Sequence, residues 1–172
     1  MSLSQQDLSR RFAKTFTDVQ RNVLRVTPAG VQLPLMPIEL AQELSKQYHE
    51  WASSAIAGGM IPVGGNHSLI ASQLSSMPLM SGWAPGLISY WTAVSWNAPT
   101  ISTGVSIPVA LVKISADIVS QFIAPPNPSA FSPQSIDEFA DRLATILHSG
   151  TLLLQVTQTI LQTGATSVVG VS

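Results

Sequence analysis

No Asp, Glu, Lys or Arg occurs from Trp51 to Val112, and none occurs from Leu143 to Ser172. These two tracts make up more than half of the chain. A folded chain in water normally covers itself with those four residue types, because they are almost never fully buried. Charged residues are 10% of this chain, against about 25% in ordinary domains. So much uncharged surface calls for a cover, either partner subunits or lipid. The competing reading is a monomer coated in Ser, Thr, Asn and Gln, which are plentiful here.

The charges that do exist are polarised. Residues 1–30 hold five basic and two acidic side chains, and residues 31–172 hold three basic and seven acidic. The net charge of −1 gives no nucleic-acid signal for the chain as a whole. The sequence contains no cysteine, which removes disulfides, thiolate metal sites and Cys nucleophiles from consideration. The N-terminal residues lack the apolar core of a secretory signal, and Asp7 and Asp18 count against a mitochondrial transit peptide.

Periodicity divides the chain into a basic amphipathic N-terminal helix over 1–28, an uncharged helical body over 29–124, and a C-terminal helix with an apolar tail over 125–172. Ser4 caps the first helix, and Leu8, Phe12, Phe16, Val19 and Val23 form one stripe. Arg11, Lys14, Arg21 and Arg25 lie on the other face. Thr27-Pro28-Ala29-Gly30 ends the helix. A second helix begins near Pro37, with Leu40, Ala41, Leu44, Tyr48, Trp51, Ala52, Ala55 and Ile56 on its apolar stripe, and Gly58-Gly59 stops it. Residues 67–77 and 83–96 read as further helices, and 100–106 as an extended segment. Pro108 starts a helix to Ile123 with Val112, Ala116, Val119 and Ile123 inward. Ser135 and Glu138 form a capping box for a helix whose stripe is Ile136, Phe139, Ala140, Leu143, Ile146 and Leu147. Thr151 to Thr163 fits either helix or strand. Gly164 to Ser172 reads as a disordered tail or as a strand added to a neighbour's sheet edge. The expected fold class is mainly α, an irregular helical domain with long loops and extended terminal segments.

No constellation for catalysis stands out, and no catalytic, cofactor-binding or metal residue is assigned. Gly59 to Asn66 has glycines spaced like a phosphate-binding loop, but it lacks the Lys and Ser/Thr that reach phosphate and magnesium. His49, His67 and His148 are not at ligand spacing. Asp137, Glu138 and Asp141 fall in the first turns of a helix, where the dipole already accounts for them. Asn66-His67-Ser68 matches a glycosylation acceptor but has no secretory context. Trp83, Trp91 and Trp96 lie in the uncharged tract. They serve either as interface anchors or as core. With Arg11, Lys14, Arg21 and Arg25 they make up the expected partner-binding set. The basic helix and acidic body suggest head-to-tail docking between copies.

In character the chain resembles the small structural proteins of tailed-bacteriophage particles. The resemblance rests on the cysteine-free composition, the basic starting helix, Ser81-Gly82-Trp83-Ala84-Pro85-Gly86, Trp96-Asn97-Ala98-Pro99-Thr100 and the uncharged stretch from Thr163 to Ser172. It implies a non-enzymatic tail, baseplate or neck subunit, made in the host cytoplasm and located in the virion. Its partners would be copies of itself and neighbouring subunits, with no cofactor and no nucleic acid. The alternative is a membrane-associated or membrane-active protein with its basic helix on lipid, which the frequent Pro and Gly interruptions of each apolar run disfavour.

Overall fold

Ser4 opens the first helix, its Oγ accepting from the Asp7 N–H at 3.3 Å. The helix, α1, runs Gln5–Asp18 and buries Leu8, Phe12 and Phe16. The computed structural model describes residues 3–18, 25–27, 30–32, 38–77, 80–99, 101–123 and 135–172, with backbone alone for 25–27, 30–32 and 123. Val19 and Val23, which would continue the stripe, and the stretch Ala124-Pro125-Pro126-Asn127-Pro128-Ser129, whose prolines suggest a stiff linker, lie outside the described residues. Arg25–Thr27 (β1) and Gly30–Gln32 (β2) pair antiparallel as a hairpin. The described backbone at 25–27 and 30–32 is therefore extended, where the first helix was expected to run on to 28.

Helix α2 (Ile38–Ala52) follows the expected stripe, with Leu40, Ala41, Leu44, Tyr48, Trp51 and Ala52 buried. Gly58 and Gly59 adopt positive φ values of 55° and 81°, which let the chain reverse after the helix at little cost. Strand β3 (Ile61–Val63), α3 (Ser68–Ser76) and α4 (Trp83–Ala93) come next. The helix expected to reach Trp96 stops at Ala93, and Trp96 belongs to β4 (Ser95–Ala98). Strand β5 (Ser102–Ile107) leads into a 3₁₀ turn, Pro108–Leu111, then α5 (Val112–Ile118) and a π turn, Val119–Ile123. The face that meets the core differs from the expected one. Leu111, Ile114 and Ile118 are buried, whereas Val112 and Val119 are exposed, contrary to the simple helical reading.

Helix α6 (Ile136–Leu152) is capped as expected, with Ser135 Oγ accepting from the Glu138 N–H at 3.1 Å. It runs straight through Ser149-Gly150. Strands β6 (Gln155–Ile160) and β7 (Thr166–Gly170) complete a five-stranded sheet, antiparallel throughout, in the order β3-β4-β5-β6-β7. The final uncharged segment is thus a strand of the chain's own sheet.

The expectation of a mainly α, irregular helical domain is therefore corrected: the chain is mixed α/β, with six helices and a five-stranded antiparallel sheet among the described residues. The reason lies in the strands. In β5 the buried positions are Ser102, Gly104 and Ser106, while Thr103 and Val105 face solvent. This inverts the usual apolar-in, polar-out alternation, so a hydrophobic period of two gives no signal. Size and hydrogen bonding set the register instead. Ser106 Oγ accepts from Trp96 Nε1 at 2.7 Å, and Ser102 Oγ accepts from Gln158 Nε2 at 2.9 Å. At Gly104, an added Cβ would lie 2.7 Å from Val156 and 2.9 Å from Met60.

One core joins most of the described segments. It includes Leu8, Phe12 and Phe16 of α1, the apolar faces of α2, α4 and α6, and the inner layer of the sheet. Helix α1 packs chiefly on α6 and also against α2.

Candidate functional site

Nearly half of the chain's charged side chains line one groove of about 700 Å³ between α1 and α2, among them Arg11, Lys14, Glu39, Glu43 and Glu50. The helical spacing in each element puts its charges on the side away from the core. Arg11 Nε donates to Asp7 at 2.8 Å, and its Nη1 donates to Glu50 at 2.9 Å and to Gln47 Oε1 at 3.3 Å. The basic face of α1 thus meets the acidic face of α2 inside one molecule. Arg11, about a third exposed, is thus paired within its own molecule. Such half-exposed pairs contribute about 0–1 kcal/mol each, so they orient α1 more than they stabilise it.

Of the other expected contact residues, Lys14 is exposed on α1 at this groove. Arg21 lies outside the described residues, and Arg25 is described only as backbone in β1. Trp83, Trp91 and Trp96 are 0%, 0% and 1% exposed, so they are core residues and not exposed interface anchors. Trp91 and Trp96 stack with ring centroids 5.6 Å apart and planes 8° from parallel, tying α4 to β4.

A second cluster was not visible in the residue spacing. Tyr48 Oη is buried 2.7 Å from Thr151 Oγ1 and accepts from Trp91 Nε1 at 3.0 Å. Tyr90 Oη lies 2.8 Å from His49 Nδ1, and the His49 and His67 rings are 6.1 Å apart. Burial pushes both tyrosine hydroxyls well above their usual range, so both stay protonated. Burial lowers His49, and the nearby His67 lowers it further. His67 Nδ1 is buried without a hydrogen-bond partner among the described residues. No group of three potential metal ligands forms among the described residues. The chemistry of the cluster is therefore that of a polar network joining α2, α4 and the α3 entrance.

The most distinctive surface is the outer face of the sheet. All five strands fall within the two charge-free tracts. Val63, Ser95, Val105, Thr157 and Val168 stand side by side in one cross-strand row, and Ile61, Asn97, Thr103, Thr159 and Thr166 form the next. Val63, Val105 and Val168 are 48%, 63% and 57% exposed. Ile101 and Leu161, joined by a main-chain bond of 2.9 Å, extend the apolar rim. A shallow hollow of about 430 Å³ lies over β3 to β6, lined in part by Val63, Asn97, Thr103, Val105 and Thr159. The sequence signal for this face was the missing charge; the alignment of the exposed valines was not legible, because they come from strands distant in the chain.

A scan against protein-family models and searches of curated proteins and of solved structures found no match.

Proposed function

We propose that this protein is a non-enzymatic structural subunit of a multi-subunit assembly, of the kind found in the tail or baseplate of tailed bacteriophages, held in the virion by copies of itself and by neighbouring subunits. The observation that carries the reading is the outer face of the sheet. Exposed valines, isoleucines, threonines and an asparagine form a continuous surface without a single charged side chain. Monomers rarely leave such a patch open unless it is a contact surface. Interfaces are depleted of charge at their centres, and this face fits that pattern.

The membrane reading has less support. The apolar stripe of α1 that would enter lipid is packed into the core, with Leu8 and Phe12 each 0% exposed. No described helix is long and apolar enough to cross a membrane.

Light scattering of the purified chain, with and without mild detergent, tests the proposal. The expected result is a defined oligomer or a growing polymer in detergent-free buffer, with rings or tubes in electron micrographs. A monomer at every concentration, indifferent to detergent, would overturn the self-assembly on which the reading rests. Recovery only in detergent micelles would favour the membrane alternative.

A further inference from the structure

We propose that β7 is a homotypic docking edge: the β7 strands of two copies pair antiparallel about a two-fold axis at Val168, joining two sheets into one of ten strands. This rests on the assembly reading above and names one of the partners, a second copy of this chain.

The sheet has two edges, and they differ. Strand β3 is three residues long and contains Pro62, which has no N–H to donate. Shortness and proline are the usual means of blunting an edge against pairing. Strand β7 has five residues, Thr-Ser-Val-Val-Gly, with no proline and no charge, and all but Val169 are exposed. Among the described residues, no main-chain hydrogen bond reaches Thr166–Gly170 from the side away from β6. An extended, uncharged strand with open donors and acceptors is a template for another strand.

The edge is also held in shape. At its start, the Ile160 N–H donates to the Ala165 carbonyl at 2.9 Å, and the Gly164 N–H donates to the Ile160 carbonyl at 2.8 Å. At its end, Ser172 and Ile56 exchange two main-chain bonds of 2.9 and 3.0 Å. Val169 packs inward against the core. A strand ordered before contact loses little conformational freedom on docking.

The arrangement of edges selects a second copy and limits the number. An antiparallel pair of identical strands is self-complementary about a two-fold axis. With one competent edge per chain, the pairing closes at two instead of running on as a filament. The rows beside the seam carry no charge, so two copies approach without like-charge repulsion, and a charged peptide finds no complement there. Across the seam, the valine-bearing row of one copy continues into the other. Five residue pairs make a seam of roughly 17 Å, which buries less than the ~1,000 Å² that marks a stable interface. The pair is thus concentration-dependent on its own, and the broad outer faces stay free for other subunits.

The test uses the full chain. Wild type and Val168→Lys are compared by sedimentation equilibrium over a wide concentration range, with circular dichroism as the check on folding. Val168 is 57% exposed, so the lysine leaves the core intact. A lysine at the seam should raise the dimer dissociation constant about tenfold or more. Because the chain has no cysteine, Val168→Cys introduces a single thiol at the proposed axis, where directly opposed residues approach closely enough for a disulfide under mild oxidant. Ile61→Cys on the blunted edge is the control and should stay uncrosslinked. Oligomers that ignore Val168→Lys, with no preference for crosslinking at Val168, would overturn the β7 seam and leave the assembly reading standing. A wild type that is monomeric throughout would overturn both.

Discussion

At the scale of single residues, several positions behave against their ordinary preferences because of what they touch. Gly150 lies within α6, where alanine normally adds about 0.5–1 kcal/mol of stability over glycine. Here an added Cβ would sit 2.3 Å from Ile114 Cγ1 and 2.4 Å from its Cδ1. Gly150→Ala should therefore destabilise the fold, by about 1–3 kcal/mol as overpacking does, measured by urea unfolding. A gain in stability would show that Ile114 simply rotates away. Tyr48 is a polar group the core requires. Tyr48→Phe leaves Trp91 Nε1 without its acceptor and removes the phenol from Thr151 Oγ1, with an expected loss of about 1–3 kcal/mol. The same denaturant titration checks it, and a neutral result would mean that both groups find other partners.

At the scale of elements, the helices follow local rules and the strands follow tertiary ones. The Ser135 cap on α6 is a local device, and Ser135→Ala should cost about 1 kcal/mol of stability. Thermal unfolding reads that loss directly, and an unchanged midpoint would mean that α6 is held by packing alone. The stripes of α1, α2 and α6 were legible for the same reason: Leu8 and Phe12, Leu40 and Leu44, and Phe139 and Leu143 recur at helical spacing and are buried. The extended stretch expected over 100–106 is β5, but its place in a sheet was not legible. Its inward residues are Ser102, Gly104 and Ser106, selected by the indole of Trp96, the amide of Gln158 and the bulk of Val156 and Met60. Those partners come from three separate parts of the chain, since Val156 and Gln158 share β6. The single-helix reading over Pro108–Ile123 failed at the 3₁₀ and π turns, which local composition does not encode.

At the scale of the whole molecule, charge and its absence occupy different regions. The α1–α2 groove gathers much of the charge, while the sheet presents none. Between them, the His49–Tyr90 link joins α2 to α4, with His67 and Glu50 the titratable neighbours that also act on His49. Because burial and His67 hold His49 below its ordinary value of 6.5, the unfolded chain binds more protons than the folded one as pH falls below that point. Stability should therefore be full above the unfolded value and fall as pH drops through it. Denaturation midpoints across that range should show the decline, and His49→Gln should flatten it. An identical slope in the variant would place the proton uptake elsewhere. Of the candidate site, the sequence disclosed the lack of charge but not the face; of the seven expected contact residues, the three tryptophans lie in the core.

The amino-acid sequence by itself determined α1, α2 and α6 with their buried stripes, the caps of α1 and α6, and the exclusion of charge from two long tracts, because each of these depends on residues within a few positions of one another. Tertiary structure alone decided that those tracts become a sheet, that α1 settles on α6 beside the acids of α2, and that one edge of the sheet is blunt while the other is open. Strand pairing joins residues as distant in the chain as Ser102 and Ile160, and its register here depends on which small side chain fits under which large one. That fit exists only once the chain has folded.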